Sequence, residues 1–349
     1  MKVTDVKAIY PKYNHVPPSW RTHLWQIIVR VESDSGVVGY GFGGGGRAAV
    51  EVVNGHLREL LLGVSLNNVA DIEMIWSRLY SESIPYGRKG IGVMALSGVD
   101  LALWDLLGNA ECKPVYDLIG PRNKEKVTAY ATGPDSEWYQ ELGFTAHKFN
   151  IHWTGDPADY DVAVERTART RAIFGPDARI MIDTYMSWDT DVTLEMARLL
   201  NDFKIYWFED VLTPDQLDGQ AGLRLAVKPT LLAGGEHEFT QYGFREVART
   251  GTLDLWQPDI TWCGGITAGL SILELAGTEG IPVVLHRGHE VWGLHLIVSS
   301  DCMDLAEVNQ GVRGVPKDEL WLGHPRAVDG FVEPSDAPGF GVTPNETML

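Results

Sequence analysis

Seven ionisable side chains close short apolar runs in the second half of the chain: Lys148, Asp183, Glu209, Glu236, Asp259, His286 and Glu307. From Asp183 onward they stand 26, 27, 23, 27 and 21 residues apart. Each interval fits one strand followed by one helix, and groups so spaced converge on one mouth of a barrel. Asp183, Glu209 and Glu236 are carboxylates on three consecutive strands. Ionised within a few ångströms of each other they need a cation, because like charges otherwise force protonation. All-oxygen ligation without cysteine suits a hard divalent ion that keeps water or substrate ligands, Mg2+ first and Mn2+ second. Asp210 follows Glu209 directly, so strand alternation should turn it away into a structural role. Asp259 and His286 end adjacent strands, which permits a dyad in which the carboxylate fixes the imidazole tautomer and raises its basicity. One such carboxylate is as readily a helix cap; it is the set of seven that points to chemistry.

The elements that must carry these groups are visible as apolar runs at 127–131, 145–150, 179–183, 205–209, 231–236, 253–258, 281–286 and 304–309. Helical periodicity fills intervals such as Val192–Asn201 and Ala268–Ala276. Eight strands alternating with helices predict a (β/α)8-type barrel from Val127 to about Gly311. Upstream, the β-rich WQIIVRV (25–31), the Asp34-Ser35-Gly36 turn and Val37–Tyr40 predict a hairpin, and helices are expected over Ala48–Leu62 and Ala95–Leu107. Pro114 and the Gly120-Pro121 pair break the pattern. Residues 1–125 are thus expected to form one domain, 126–324 the barrel, and the Pro- and Gly-rich 325–349 a segment returning to the first domain.

The chain's 349 residues suit two domains, and its formal charge of −18 argues against a surface built for nucleic-acid phosphates or anionic lipid. No apolar run near 18 residues and no signal-peptide core stand out, so the expected compartment is the cytoplasm. Cys112, Cys263 and Cys302 are odd in number and far apart, which fits neither a disulfide framework nor a zinc site. Gly41-Phe42-Gly43 with Gly46 satisfies the GxGxxG pattern, but it follows a hairpin strand and lacks the later acidic residue of a dinucleotide site. Gly264-Gly265 should open a helix whose N-terminus could hold an anion, with Cys263 buried just before it.

The segments MIDTYMSW, WFEDVL, LAGGEHEF, LWQPDITWCGG, VVLHRG and SGVDLALWDLLG together resemble the enolase superfamily, mandelate racemase subgroup. YATG, HKFNIHW, DTYMSWD, GGEHEF and QPDITWCGG look most like the L-rhamnonate dehydratase group. The resemblance spans essentially the whole chain. It implies an α/β fold with a (β/α)7β TIM-like barrel closed by an α+β capping domain. It also implies a lyase: a hydro-lyase of sugar-acid catabolism, often a homo-oligomer. Asp183, Glu209 and Glu236 would then bind Mg2+, and His286, assisted by Asp259, would take the proton α to the substrate carboxylate. Glu307 matches an electrophilic acid at that carboxylate, and Lys148 the first lysine of the subgroup's Lys-x-Lys pair. The second lysine falls at Asn150, which is no base. One base on one face favours dehydration to a 2-keto-3-deoxy sugar acid. A racemase, epimerase or cycloisomerase is the rival within the fold, and a non-catalytic sugar-acid binder the rival outside it. Arg21 and His15 in the capping domain, near His23 and the glycine-rich 41–47 stretch, are expected substrate contacts, as are Asn150, His152, Trp188 and His237 in the barrel. Tyr185 and Trp153 are expected to pack.

Overall fold

The computed structural model describes residues 1–349. Near the N-terminus, β1 (Val3–Ile9), β2 (Ile27–Ser33) and β3 (Val38–Gly43) form an antiparallel sheet in that order. The β2–β3 hairpin is the expected one, with Gly36 left-handed at its turn. β1 goes unread in the sequence because Thr, Asp and Lys interrupt it; pairing with β2 supplies what local preference does not.

The helix Ile91–Glu111 lies across β3. A Cβ on Gly41 would sit 2.0 Å from the Gly98 carbonyl oxygen, and one on Gly43 2.6 Å from that of Met94. Gly41 and Gly43 therefore serve close approach of strand and helix. Contrary to the sequence expectation, this helix is long and apolar enough to cross a membrane. It is instead almost wholly buried in the fold, as a core helix.

The second sheet is parallel and curls in the order β10 (Leu305–Asn309), β4 (Val127–Thr132), β5 (Ala146–Asn150), β6 (Arg179–Asp183), β7 (Trp207–Glu209), β8 (Leu231–Gly234), β9 (Leu255–Trp256). The expected strand at 281–286 is present as an irregular stave. Val283 bridges Trp256, and the His286 N–H donates to the Pro258 carbonyl at 3.2 Å. Pro282, with no N–H of its own, weakens the ladder there.

Two joints tie the layers together. Asp100 of Ile91–Glu111 accepts from the Thr267 N–H at 3.1 Å and its hydroxyl at 2.5 Å, at the start of the helix Gly265–Glu279. The anion foreseen at that helix N-terminus is the protein's own carboxylate, pushed up to about 7 by burial. Cys263 is buried beside it. The C-terminal segment first pairs Phe331–Val332 antiparallel with β4; from Gly339 it reaches Pro114, and the Phe340 N–H donates to Asp105 at 2.7 Å.

Two buried histidines carry a pH signature. His147 on β5 sits between the Ala131 carbonyl and the Ser136 hydroxyl, and His295 accepts from the Tyr116 N–H. Burial depresses them to about 4 and about 3. The unfolded chain therefore takes protons first below its ordinary value near 6.5. The stability these groups hold is present above that pH and lost as pH falls toward 4. At pH 5 each costs about 2 kcal/mol relative to neutrality. Urea midpoints should fall from pH 7 to pH 5, and His295→Gln should shrink that fall by about 2 kcal/mol; an equal fall in both proteins contradicts the assignment.

Candidate active site

The barrel interior is sealed by one apolar side chain from each stave: Tyr130, Ala146, Met181, Trp207, Ala233, Leu255, Val284 and Leu305. Strand side chains repeat every second residue, so the next inward layer is two positions further on. Read from the same staves it is Thr132, Lys148, Asp183, Glu209, Gly235, Gln257, His286 and Glu307. An apolar floor thus carries a polar layer that closes on itself.

Lys148 is the cation of that layer. Its ammonium is buried and contacts Glu209, Glu307 at 2.9 Å and Asp183 at 3.9 Å. The other Glu209 oxygen accepts from Trp207 Nε1 at 2.9 Å and Gln257 Nε2 at 2.6 Å. Thr132 and Lys148 donate to one Glu307 oxygen, and the Arg287 N–H donates to the other at 2.8 Å. Burial alone would raise Glu307, but Lys148, His286 and these donors hold it down at about 2. Glu307 accepts from Thr132, Lys148 and the Arg287 N–H, and so anchors the lysine and the stave after His286.

Carboxylates outnumber cations here. Burial and Glu209 push Asp183 up to about 8, and burial raises Glu209 and Asp210. Asp183 and Glu209 are register partners on neighbouring strands. Asp210 departs from its expected role. The strand ends at Glu209, Asp210 is left-handed at φ +48°, and alternation no longer applies. Its carboxylate turns back to the mouth, where Asp210, Glu236 and His237 offer ligand atoms all within 4.8 Å of one another. The predicted Asp183–Glu209–Glu236 set does not close to that spacing, with Lys148 standing among its members. The donor set, all oxygen apart from His237 and short of positive charge, fits a hard divalent cation.

His286 and Asp259 meet as expected. Nδ1 lies 2.7 Å from Asp259 Oδ2, and Nε2 lies 3.2 Å from Glu236 Oε2. Asp259 is saturated: Oδ1 accepts from the Thr261 N–H and hydroxyl, and Oδ2 from His286 and from Arg287 Nε at 2.9 Å. Burial would raise Asp259, but Arg287 and then His286 hold it well below the usual carboxylate range. An ionised Asp259 makes Nδ1 the donor and leaves Nε2 facing the carboxylates. Burial lowers the imidazole, yet Glu236 and Asp259 outweigh it and push it up to about 10; a cation on Glu236 would offset that carboxylate's pull.

The expected substrate contacts divide. Asn150 is Asp183's register partner at the end of β5, and its Nδ2 is a buried donor without a partner. His237 lies 3.3 Å from Glu236 and stacks on Trp262. Arg21 sits against the Trp20 and Trp25 rings. His15 is instead clasped by Asp318 at 3.0 Å. His152 is exposed and near Asp159. Trp188 is core: it donates to the Ile151 carbonyl and packs on Phe208. Tyr185, expected to pack, is half exposed and left-handed, its N–H on Asp183 at 3.0 Å.

Residues 135–348 match the enolase C-terminal domain-like family, and residues 19–120 the mandelate racemase / muconate lactonizing enzyme N-terminal domain. The chain belongs to the enolase superfamily. Among superfamily members it is 34% identical to an L-rhamnonate dehydratase of Saccharopolyspora erythraea, over 98% of this chain and 89% of that one. The crystal structure of L-rhamnonate dehydratase from Gibberella zeae superposes with a TM-score of 0.91 at 30% identity, covering 99% of this chain and 94% of that one. The Gibberella rhamnonate dehydratase complexed with Mg gives 0.89 at 28% identity, with the same coverage.

Removing the Lys148 ammonium strands buried carboxylates, a change that typically costs about 3–5 kcal/mol. Lys148→Met should lower the urea-derived stability by that order, whereas an unchanged midpoint means the layer is not held by its lysine.

Proposed function

We propose that the protein is a Mg2+-dependent acid-sugar dehydratase, a hydro-lyase that converts an aldonate of L-rhamnonate type to its 2-keto-3-deoxy acid. The observation that carries this reading is a single free base. Asp259 occupies His286 Nδ1, so Nε2 alone is presented to the mouth. The other nitrogen base of the layer, Lys148, has its ammonium spent on Glu209 and Glu307, and Asn150 stands where a second lysine would have to be. Racemisation needs proton transfer on both faces of the α-carbon; elimination needs one.

We assign the cation to the expected Asp183, Glu209 and Glu236 on the superfamily match; Glu236 is the member that also groups with Asp210 and His237, while Asp183 and Glu209 share Lys148. Bound there, it supplies Lewis-acid stabilisation of the charge that develops on the substrate carboxylate. The chain's own groups do the rest. Neutral His286 takes the α-proton at Nε2. The electron pair left on the α-carbon expels the 3-hydroxyl, which leaves as water with the proton His286 had taken. The resulting enol takes a proton at carbon 3, gives up its O–H proton to solvent and becomes the 2-keto acid. Asp259 holds the ring and its positive charge during the transfer. Asn150 Nδ2 is a donor for a substrate hydroxyl, and Arg21 is the expected contact from the capping domain. The three free cysteines suit a reducing cytoplasm.

A panel of aldonic acids with MgCl2 should yield 2-keto acid, with EDTA removing the activity. His286→Asn should lower kcat by at least about 100-fold, as loss of a general base does. Full turnover by His286→Asn, or exchange of the α-proton in D2O without any keto acid, overturns the dehydratase reading.

A further inference from the structure

Arg287 directly follows the dyad histidine, and its side chain does not enter the mouth. It is buried, and it is left-handed at φ +52°, a conformation a long side chain adopts only when its surroundings enforce it. Its N–H is spent on Glu307. Its guanidinium puts Nε 2.9 Å and Nη2 2.8 Å from Asp259 Oδ2, the same oxygen that receives His286 Nδ1. Nη2 also contacts the Thr261 hydroxyl. That hydroxyl has one proton, and Asp259 Oδ1 takes it at 2.8 Å. Its two lone pairs are then filled by Arg287 and by Gln26 Nε2 at 2.9 Å.

Gln26 and Trp25 come from the capping segment, at the threshold of β2. Gln26 Oε1 accepts from Trp262 Nε1 at 2.7 Å, so both ends of this buried amide are fixed to the barrel. The Arg287 guanidinium carbon stands 5.6 Å from the centre of the Trp25 ring and 5.1 Å from that of Trp262. Trp262 in turn packs against the His286 ring at 5.7 Å. Asp259 is therefore held from behind by one guanidinium, and that guanidinium is seated on capping side chains.

We propose that Arg287 is a positioning residue that orients Asp259 for His286, and that Gln26 and Trp25 pass the seating of the capping domain to the dyad through it. The role rests on the dehydratase reading for its catalytic meaning, and its geometry can be tested apart from it. A carboxylate freed to rotate no longer holds the imidazole, and a misplacement near 1 Å costs about 100-fold in rate. Arg287→Met should lower kcat about 100-fold with KM within about threefold, because the lost interaction acts on the reacting groups and not on substrate. Gln26→Leu, a change confined to the capping side, should lower kcat about tenfold with KM unchanged. Arg287→Lys should recover part of the loss through a single contact to Asp259.

The second readout is the Nδ1–H proton of His286 in histidine-labelled protein, identified by its absence in His286→Asn. It should shift or broaden in Arg287→Met and Gln26→Leu and stay closer to its place in Arg287→Lys. If Arg287→Met fails to fold, Arg287→Lys and Gln26→Leu carry the test. An unshifted resonance, or a loss that falls wholly on KM, overturns the proposal. A wild-type protein that turns over no aldonate, yet shows the shifted resonance in the variants, overturns the dehydratase reading and leaves the positioning role standing.

Discussion

One ammonium surrounded by buried carboxylates is the interaction on which the rest of the molecule depends. An isolated lysine at the depth of Lys148 would shed its proton, and carboxylates at the depth of Glu209 and Glu307 would take one up. Together they offset that penalty because each supplies the other's counter-ion, and the hydrogen-bond donors Thr132, Trp207 and Gln257 complete what the lysine cannot. The balance holds only if all staves stand in register, because each member comes from a different strand. A shift by one residue would turn every member outward and bring apolar neighbours into the mouth. The eight apolar residues beneath, with Tyr130 edge-on to Trp207, fix that register from below.

The site is not built by the barrel alone. The seventh stave, 281–286, lacks a regular ladder, and what steadies its end is polar: Glu307 takes the Arg287 N–H, and the Glu307 carbonyl takes that of His289 at 3.0 Å. The capping segment then closes over this weak seam. Tyr13 donates to the Gln26 carbonyl at 2.8 Å, Gln26 reaches Thr261 and Trp262, and Asp318 clasps the backbone of Asn14 and His15. Left-handed residues gather where strands give way to the mouth: Tyr185, Met186, Asp210 and Arg287. Each costs about 1 kcal/mol or more of strain, tolerated where packing over-determines the backbone. Stability is thus spent at the rim that must hold the chemistry in place.

What the sequence made legible follows from the same physics. A barrel strand ends in a polar group because its last inward position faces the mouth, so a strand-end list with one βα unit between members finds Lys148, Asp183, Glu209, Asp259, His286 and Glu307 without any alignment. Glu236 is recovered by the same spacing although it lies past the end of β8. The method fails one residue later. It assumes that alternation continues beyond the strand, which misplaced Asp210, and it gives no reason to look at Arg287, whose partners Asp259, Thr261 and Glu307 are 20 to 28 residues away. The surroundings of His15 and His152 were illegible for a related reason: a loop histidine's neighbours, Asp318 for one and open solvent for the other, come from the fold. The long helix Ile91–Glu111 hid its apolar length behind Asp100 and Asp105, and both turn out to serve buried hydrogen bonds.

The charge layer also explains why a barrel of this kind would run chemistry from one side. A lysine can act as a base only by giving up a proton and its charge. At Lys148 that loss would leave Glu209 and Glu307 facing one another in a medium that screens poorly, so the proton is worth more to the fold than to a reaction. His286 is the opposite case. Its Nδ1 is fixed on a carboxylate that Arg287 and Thr261 have already saturated, so Asp259 stays ionised whether or not the ring carries a second proton. The imidazole can therefore gain and lose charge at Nε2 while Asp259 keeps its own, the balance resting on Glu236 at 3.2 Å, and the two basic residues of one layer divide the labour: one holds the structure, the other reacts.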